Sequence, residues 1–589
     1  MRPSLKAFLL FAGIGIGGYC NALDNPFHFD DLHSIEHNPH IRSLQNLPDF
    51  FTDLHTFSSE RRGTMFRPLL LTSYAFNYWL HGAAVQGYRW VNLLLHVLCS
   101  TLVFCLLRRL GGPERVAWVG GALFLLHPTH AEVVNYISSR SDLLVSFFYL
   151  AALLLAFKER ERIVPGTHFA YIAGLLSKSV AFTLPLVVGG YRVWRWGWRQ
   201  LWQNGSGYLI LGGISAAYLG VLVANRFLDS SIAKAPRGLE VQIWTQLKAF
   251  VYYLFIFAMP VDLSVEPQFF VAQSLWAPAP LLAALLLVSM GFWAYQSRRR
   301  LPLLGWVFFL VALLPASLFP LNLLVGERRM YLASAGLILV LAWSWEPLLR
   351  RLRLGGVIGV AALGLIFAIS CVQRNQVWAS KIGLWEDAVR QGPRMFRPRA
   401  NLALAYVKQG RREEALAELQ VALEIKPDFA DAWVEVGNIR KEQGAMEAAK
   451  EAYEKALVFD ADLEGVYYNL GNIYQETGRP AAAIAYYRQA LERNPNFADA
   501  HNNLGQALEA SGRPDEALAR YRQALDIDPD QPQAWYNLAV LSEKKEQFEK
   551  ARKAYEKAHQ LLVDDPEYAG NPLYQKFARR ALDGFLRLK

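Results

Sequence analysis

Charged residues are scarce in this chain, and cysteine is almost absent. Only 19% of the 589 residues are Asp, Glu, Lys or Arg, whereas 53% are hydrophobic. This composition is too apolar for an ordinary soluble protein, and it indicates a membrane protein. The four cysteines, Cys20, Cys99, Cys105 and Cys371, all lie in apolar segments, where a thiol is most simply a small buried hydrophobic group. The sequence therefore predicts neither a disulfide framework nor a thiolate metal site.

The scarcity of charge is a property of only one part of the chain. Residues 1 to about 373 form apolar segments separated by short basic loops, whereas residues 374–589 are polar, rich in Ala, Glu and Arg, and periodic. The periodic part carries more acids than bases, so the net charge of +10 comes from the loops of the apolar part. Basic loops of this kind are explained by membrane topology, and nucleic-acid binding is not implied.

Eleven apolar segments are predicted to span the membrane. The first covers residues 5–20, and the others cover roughly 88–107, 115–127, 141–157, 167–177, 179–194, 207–226, 277–295, 302–320, 329–348 and 354–372. A cleaved signal peptide is the alternative for the first segment, because small residues occur around Tyr19-Cys20-Asn21-Ala22.

Basic clusters between the segments predict the orientation of the chain. If all of them are cytoplasmic, the amino terminus is inside, and a loop of residues 23–87 and the periodic part are outside. The clusters are Arg2 and Lys6; Arg108, Arg109 and Arg115; Lys158, Arg160 and Arg162; Arg192, Arg195 and Arg199; Arg298, Arg299 and Arg300; and Arg350, Arg351 and Arg353.

Two stretches need special treatment in this topology. Residues 167–194 are predicted to form a hairpin that turns near Ser177-Lys178-Ser179, because basic loops flank both ends. Residues 240–260 are predicted to form an interfacial or re-entrant helix, because a further span would reverse everything after it. The sequon Asn204-Gly205-Ser206 falls on the cytoplasmic side, which favours a bacterial inner membrane with periplasmic repeats. An endoplasmic-reticulum membrane with luminal repeats has the same topology.

Polar residues that interrupt the apolar pattern collect on the predicted outer face. Such groups near a bilayer are costly unless they are paired or functional. They are Asp30 and Asp31; Arg61, Arg62 and Arg67; His127, His130 and Glu132; Arg140; Lys178; and Glu327, Arg328 and Arg329.

The adjacent carboxylates Asp30 and Asp31 are the candidate catalytic residues. Transfer of a group from a lipid phosphate to a hydroxyl needs a base for the hydroxyl and cations for the departing phosphate. Either acid could accept the proton while the other orients the acceptor or holds a divalent cation. A helix N-cap before Leu32 is the alternative that involves no chemistry.

Arginines on the same face are candidates for holding the phosphate, because a guanidinium offers two parallel hydrogen bonds to phosphate oxygens. They are Arg67, Arg140, Arg328 and Arg329, and anchoring to lipid headgroups is the alternative. His127, His130 and Glu132 resemble a metal triplet, but Pro128 breaks a helix between the histidines. We therefore expect these three residues to shape a pocket without a metal.

The carboxy-terminal part has the 34-residue period of tetratricopeptide (TPR) repeats. Pro427, Pro495 and Pro529 keep this spacing, with Ala461 at the remaining position. Five repeats are predicted over residues 396–565, with a connector at 374–395 that includes a divergent half-repeat around Trp385, and a capping helix at 566–589. Small residues recur where paired helices must approach closely.

A repeated asparagine position is not explained by the repeat core. Asn401, Asn469, Asn503 and Asn537 occur in register, and Glu435 interrupts the series. The position resembles the asparagine ladder of the O-GlcNAc transferase repeats, whose amides hold a peptide main chain. An amide both donates and accepts, so these residues are predicted to bind polypeptide. A structural hydrogen bond between helices is the alternative.

The order of motifs resembles the transmembrane-and-TPR-containing protein O-mannosyltransferases, within the GT-C class of membrane glycosyltransferases. The matching motifs are Phe29-Asp30-Asp31, Phe66-Arg67-Pro68-Leu69, Asn92 to His96, His127-Pro128 with His130 and Glu132, Arg140 to Leu144, Lys178, and Glu327-Arg328-Arg329-Met330-Tyr331 before Gly336. The resemblance implies an all-α, polytopic GT-C-type domain over residues 1–373 followed by a TPR α-solenoid. It also assigns Lys178 to the donor phosphate, although Ser179 stands where an acid is expected.

The resemblance implies transfer of a sugar, most simply mannose, from a polyprenyl-phosphate carrier to Ser or Thr hydroxyls of a polypeptide held by the repeats. The lipid-linked sugar is then the donor substrate, and a divalent cation is the one cofactor left open. Two alternatives remain at this stage. One is a membrane scaffold without catalytic activity, and the other is glycan transfer onto a lipid.

Overall fold

The computed structural model describes residues 2–59, 65–158, 162–199, 205–225, 237–297, 301–320, 323–351, 353–564 and 572–588. Regular secondary structure in these ranges is helical, which confirms the all-α prediction. The chain divides into two compact units, Met1–Pro398 and Arg399–Lys589. Several predicted surface residues lie outside the described ranges, namely Arg61, Arg62, Arg160, Asn204, Arg298, Arg299 and Arg300.

The first unit consists of long helices joined by short helical turns. The helices are Pro3–Tyr19, Pro68–His81, Val85–Arg109, Glu114–Leu126, Arg140–Ala156, Pro165–Leu175, Leu184–Trp196, Gly205–Ala224, Leu239–Ala258, Pro278–Gln296, Leu301–Leu318, Met330–Arg351, Arg353–Val377 and Lys381–Gln391. The turns that matter for the site are Leu32–Glu36, Ala131–Asn135, Ile137–Ser139 and Glu327–Arg329.

Within the described ranges, eight helices are long and apolar enough to cross a membrane, whereas eleven spans were expected. The eight are Pro3–Ala22, Val85–Arg109, Ile137–Ala156, Gly205–Ala224, Leu239–Ala258, Pro278–Gln296, Leu301–Leu318 and Ile358–Val377. Four of the expected spans are not among the eight. Those at 115–127, 167–177 and 179–194 form helices of only 13, 11 and 13 residues, which is short of the ~20 residues that a bilayer core requires. The fourth, at 329–348, lies in the longer helix Met330–Arg351. Leu239–Ala258, which the topology had placed at the interface, has the length and composition of a span.

The core of this unit depends on close helix packing. The ring of Phe11 packs edge-on against Phe104 and Trp118, which ties the first helix to its neighbours. Gly305 and Gly336 lie where two helices cross, and a Cβ on either would stand 2.5 or 2.6 Å from the carbonyl oxygen of the other. Glycine is therefore required at this crossing for steric reasons.

The apolar run at 167–194 is broken at the point where the sequence predicts a turn. The helix Pro165–Leu175 ends there, a 3₁₀ turn covers Ser179–Thr183, and a second helix follows at Leu184–Trp196. Lys178 lies in the break, so its side chain comes from a helix end and not from the middle of a continuous span.

The predicted TPR helix pairs lie in the second unit, except for the first residues of the first helix. They are Phe396–Lys408 with Arg412–Ile425, Ala430–Glu442 with Met446–Phe459, Glu464–Glu476 with Pro480–Arg493, Ala498–Ala510 with Pro514–Ile527, and Pro532–Lys544 with Phe548–Asp564, followed by Pro572–Arg587. The turns inside four of the pairs use a glycine with positive φ, at Gly410, Gly444, Gly478 and Gly512. Close pairing is visible at Gly471, where a Cβ would lie 2.5 Å from the Tyr487 ring.

Candidate active site

A strained backbone places the two acids. Phe29 has a positive φ of 47°, which is unusual for a residue with a bulky side chain. Its ring packs edge-on against Tyr136 at 5.4 Å and against Trp385 at 5.2 Å. A π-helical turn, Leu32–Glu36, follows directly. Strained residues and π-turns concentrate at functional sites, where surrounding contacts hold them.

Asp31 is fully buried and accepts four hydrogen bonds. Oδ1 accepts from the Ser138 backbone N–H at 2.7 Å and from the Ser138 hydroxyl at 2.6 Å. Oδ2 accepts from the N–H groups of His28 at 3.1 Å and Ile137 at 3.3 Å. Burial raises the pKa of Asp31 to about 6 in spite of these bonds. The carboxylate therefore fastens the first loop to the turn before the helix Arg140–Ala156.

Asp30 differs from its neighbour because it faces outward. Its side chain is 52% exposed, and Oδ1 lies 3.5 Å from His33 Nε2. Burial by itself would raise the pKa of Asp30, but hydrogen bonds from His33 and Tyr136 and the charge of Arg328 outweigh it and lower the pKa to about 2. Asp30 is thus an accessible carboxylate that is ionised at neutral pH.

Arg328 lies at the centre of the charged residues. Its guanidinium stands 5.1 Å from the centre of the Tyr136 ring, and its Nε is 4.0 Å from Glu132 Oε1. The Arg328 backbone N–H donates to Glu132 Oε2 at 2.9 Å. Burial opposes the charge on Arg328, but Tyr136, Glu132, Asp142 and Asp30 outweigh it, and they raise the pKa of Arg328 further. About a third of the side chain, 31%, remains exposed.

Lys178 is paired with an acid that sequence analysis did not single out. Its Nζ donates to both carboxylate oxygens of Asp142 at 2.6 Å. Burial lowers the pKa of Lys178 to about 8, and repulsion from Arg67 and Arg328 acts in the same direction. Asp142 lies within the motif Arg140 to Leu144, two residues after the predicted arginine. Its position in that motif was the only signal that could have revealed it.

Arg67 completes a group of three cations that we call the cationic cluster: Arg67, Lys178 and Arg328. The side chain of Arg67 is partly buried and its Nη1 donates to Ser141 Oγ at 3.5 Å. Besides burial, repulsion from the positive charges of Arg67 and Arg328 contributes to the lowered pKa of Lys178. An anion between them would relieve this repulsion, which is the property required of a phosphate site.

The other two predicted phosphate ligands are bonded to protein acceptors. Arg140 is fully buried, and it donates to Asn92 Oδ1 and the Tyr88 carbonyl, each at 2.8 Å. Arg329 donates to the carbonyl oxygens of Leu323 and Leu324 at 2.8 and 3.0 Å. In this structure both guanidinium groups stabilise the backbone around the site, and neither is placed in the cationic cluster.

The predicted pocket residues separate into two kinds. His127 contacts Thr129 Oγ1 at 2.7 Å and the Phe257 carbonyl at 2.9 Å through its two ring nitrogens. His130 likewise contacts the Phe124 carbonyl at 2.7 Å and Ser334 Oγ at 3.0 Å. The histidines are therefore buried links between helices, whereas Glu132 belongs to the charged site. Among the described residues, no group of three His, Cys, Asp or Glu side chains could hold a metal ion.

A second set of charges adjoins Arg328. Sequence analysis singled out Glu327 among them but not Arg374 or Asp387. Glu327 is buried, and burial raises its pKa to about 8. Arg374, near the end of its helix, lies 3.8 Å from Glu327 and 2.6 Å from Asp387. Asp387 belongs to the helix Lys381–Gln391. The connector thus contributes to the surroundings of the site, although the sequence suggested only a divergent half-repeat.

The repeated asparagines make hydrogen bonds between successive repeats. Asn503 Nδ2 donates to Asn472 Oδ1 at 2.9 Å, and Asn469 Nδ2 donates to Asn438 Oδ1 at 3.4 Å. Asn537 Nδ2 donates to Asn502 Oδ1 at 2.9 Å. Asn401 is half-buried on the first helix of the series. The structural alternative therefore accounts for three of the four amides, and peptide binding by them stays a prediction.

Replacing Asn469 and Asn503 together with Ala is expected to loosen the repeat array. Each lost hydrogen bond costs about 1 kcal/mol, since the former partners are left half-buried. We expect faster hydrogen–deuterium exchange in the helices Glu464–Glu476 and Ala498–Ala510 of the full chain. Gln489→Ala, at an exposed helical position, is the control and should leave exchange unchanged. Unaltered exchange accompanied by lost peptide binding would mean that the amides serve a ligand instead.

Comparison with known proteins agrees with this architecture. A family model described as dolichyl-phosphate-mannose-protein mannosyltransferase matches residues 66–225. Tetratricopeptide-repeat models match residues 403–444, 437–478, 468–532 and 508–570. A segment similar to this mannosyltransferase family and segments similar to TPR repeats therefore occur in one chain.

Curated relatives carry the corresponding name. Protein O-mannosyl-transferase F38B6.6 of Caenorhabditis elegans is 24% identical over 72% of this chain and 63% of its own length. TMTC4 of Homo sapiens is 25% identical over 70% and 66%, and Tmtc3 of Drosophila melanogaster is 24% identical over 74% and 57%. The predicted resemblance to the transmembrane-and-TPR-containing O-mannosyltransferases is confirmed. The matches span about 57 to 66% of the length of these relatives.

Among solved structures, YrrB, described as a TPR protein with an unusual peptide-binding site, covers 33% of this chain and 97% of its own at 29% identity. The TM-score is 0.27, which is too low to support an inference.

Proposed function

We propose that this chain is a membrane glycosyltransferase that moves mannose from a polyprenyl-phosphate carrier to Ser or Thr hydroxyls of a polypeptide. The observation that carries the proposal is the exposed carboxylate of Asp30, which is ionised at neutral pH. The positive charge of Arg328, a partly exposed member of the cationic cluster, helps to lower the pKa of this carboxyl. A base for the hydroxyl and cations for the leaving phosphate are the two requirements of this transfer.

The proposed reaction uses the two parts of the site for the two bonds that change at C1 of the transferred sugar. The acceptor oxygen attacks C1 of the sugar while Asp30 takes the hydroxyl proton. The bond from C1 to the phosphate oxygen breaks, and the electron pair leaves with the phosphate toward Arg67, Lys178 and Arg328. A carboxylate of low pKa is a weak base toward a free alcohol. We therefore expect proton transfer to accompany formation of the bond to C1 instead of preceding it.

The acceptor and the cellular setting are parts of the same proposal. TPR surfaces are concave supports for extended peptides, so we assign polypeptide holding to residues 396–565. The distribution of basic loops supports a cytoplasmic amino terminus, with the loop of residues 23–87 and the repeats on the opposite side of a bacterial inner membrane. No metal is assigned a role in the transfer.

The proposal is tested with the purified chain in lipid vesicles and a mixture of candidate acceptor proteins. Radiolabelled polyprenyl-phosphate-mannose should place label in protein, and alkaline β-elimination should release it, because the link is to Ser or Thr. GDP-mannose and polyprenyl-phosphate-glucose at the same concentration should give far less. Label that enters lipid would establish a lipid acceptor. A folded chain that transfers from none of these donors would favour the scaffold.

A further inference from the structure

Tyr136 contacts both halves of the proposed site, although sequence analysis did not single it out. The centre of its ring lies 5.1 Å from the guanidinium carbon of Arg328, which belongs to the cationic cluster. Its hydroxyl acts as a hydrogen-bond donor to the carboxylate of Asp30, the candidate base. One side chain therefore links the group that would receive the acceptor proton with a group that would receive the leaving phosphate.

The contacts on either side of Asp30 in the chain place it beside Tyr136. The preceding residue, Phe29, packs its ring edge-on against the Tyr136 ring at 5.4 Å. The following residue, Asp31, accepts a hydrogen bond at 3.3 Å from the backbone N–H of Ile137, which directly follows Tyr136. The two segments therefore lie side by side, with Asp30 next to Tyr136.

The protonation states give the direction of the contact between the two side chains. Tyr136 is only 2% exposed. Burial raises the pKa of its hydroxyl well above the ordinary value, although the charge of Arg328 acts in the opposite direction. The hydroxyl therefore keeps its proton at neutral pH and donates to the ionised Asp30. Tyr136 is a donor in this arrangement and does not serve as the base.

The ring of Tyr136 is held by contacts that do not involve its hydroxyl. The Tyr136 N–H donates to the Glu132 carbonyl at 2.8 Å, and the Tyr136 carbonyl accepts from the Ser139 N–H at 3.0 Å. The ring stacks on Trp378, with 6.3 Å between the ring centres and 17° between the planes. Phenylalanine at this position would keep all of these contacts and the ring next to Arg328. The hydroxyl and the ring can therefore be tested separately.

We propose that Tyr136 is a positioning residue that holds Asp30 and Arg328 at a fixed separation, its hydroxyl orienting the carboxylate and its ring holding the guanidinium. This inference rests on the proposed transfer reaction and deepens it, because it names the group that keeps the base and the phosphate-binding cation in register. Bond formation and bond breaking occur at the same carbon in this reaction. Reacting groups must then be held in one geometry, and a small displacement of either lowers the rate.

The test compares Tyr136→Phe, Tyr136→Leu and the wild type as full chains in vesicles. Tyr136→Phe loses only the hydroxyl, so kcat should fall by ~10-fold, as expected for one hydrogen bond to a charged group. Binding of radiolabelled polyprenyl-phosphate-mannose, measured without an acceptor protein, should not change. Tyr136→Leu also loses the aromatic face next to Arg328, so binding of the same donor should weaken by about 3- to 10-fold.

The pH dependence of kcat provides a readout that a merely structural role would not alter. Burial raises the pKa of Asp30, whereas hydrogen bonds from His33 and Tyr136 and the charge of Arg328 lower it to about 2. Tyr136→Phe removes one of the lowering interactions, so the carboxylate should take up a proton more readily. Activity should therefore be lost at a higher pH in this variant than in the wild type as the solution is acidified.

Tyr74→Phe is the matched control. Tyr74 also combines a hydroxyl contact, to the Ile137 carbonyl at 3.4 Å, with a ring centre that lies 5.1 Å from the guanidinium carbon of an arginine. That arginine is Arg140, which is outside the cationic cluster. The rate, donor binding and pH dependence of Tyr74→Phe should equal those of the wild type.

The remaining outcomes contradict the inference in distinguishable ways. Wild-type kcat and pH dependence in Tyr136→Phe would overturn the role of the hydroxyl while leaving the transfer reaction intact. Wild-type donor binding in Tyr136→Leu would overturn the role of the ring, and if this variant does not fold, Tyr136→Phe alone decides. Losses that only follow the amount of folded protein would make Tyr136 purely structural. A wild-type chain that transfers no sugar would reject the proposed function, and this inference with it.

Discussion

Asn in place of Asp30 is expected to stop sugar transfer in a chain that still folds. The amide keeps the size of the side chain but cannot accept the hydroxyl proton, and loss of a general base typically lowers kcat by ~10²- to 10⁴-fold. The side chain is 52% exposed, so folding should be unaffected. Single-turnover transfer from polyprenyl-phosphate-mannose measures the effect. Donor binding should stay near the wild-type value.

Asp31→Asn is the matched comparison, because the adjacent carboxylate has a different role. Its amide nitrogen would face an N–H donor, either that of Ile137 or that of Ser138, which now bonds the carboxylate. We therefore expect a lower thermal stability and less folded protein, with residual transfer in proportion to what folds. A fully active Asp30→Asn variant would show that Asp30 is not the base. A stable Asp31→Asn variant without any transfer activity would assign that role to Asp31 instead.

The second large effect is expected for Arg328→Gln. Loss of a preorganised charge at a leaving group costs about 10²- to 10³-fold in rate, and Arg328 is the cation that contacts both Tyr136 and Glu132. Removal of the Arg328 guanidinium also leaves the buried Glu132 carboxylate without the guanidinium that lies 4.0 Å from it. We expect kcat/KM for the lipid-linked donor to fall within this range.

Arg328→Lys is the informative control. It keeps the charge but not the two parallel donors, so an intermediate loss is expected. Arg329→Gln should matter less, because Arg329 is bonded to the carbonyl oxygens of Leu323 and Leu324. Sugar transfer and donor binding are measured on the same preparations of the Arg328→Gln, Arg328→Lys and Arg329→Gln variants. Equal losses in the variants of Arg328 and Arg329 would argue against a specific phosphate contact.

The repeats and the long apolar helices could be predicted from the sequence because each carries its own local signal. The 34-residue period places every helix pair, and the glycines at 410, 444, 478 and 512 mark the turns. The span count could not be predicted in the same way. Helices of 11 to 13 residues such as Pro165–Leu175 and Leu184–Trp196 read as spans by composition, although they are too short to cross alone.

The site was predictable in its motifs but not in its partners. Asp30, Lys178 and Arg328 stand out because they are polar residues in an apolar context. Asp142 and Arg374 are recognised only once distant segments meet, since the Lys178–Asp142 pair joins residues 36 positions apart. The different environments of Asp30 and Asp31 likewise depend on Ser138, which lies 107 positions away. Burial of this kind leaves no local pattern in a single sequence.

The packing of Phe29 on Trp378 and Trp385 makes the segment after the last apolar helix a part of the candidate active site. A fragment trimmed near residue 373 would lose this aromatic wall together with the Arg374–Asp387 pair. The natural joint for building chimeras lies instead between the helices Lys381–Gln391 and Phe396–Lys408. Arrays exchanged among relatives at that joint would replace the repeats and leave the residues of the candidate active site in place.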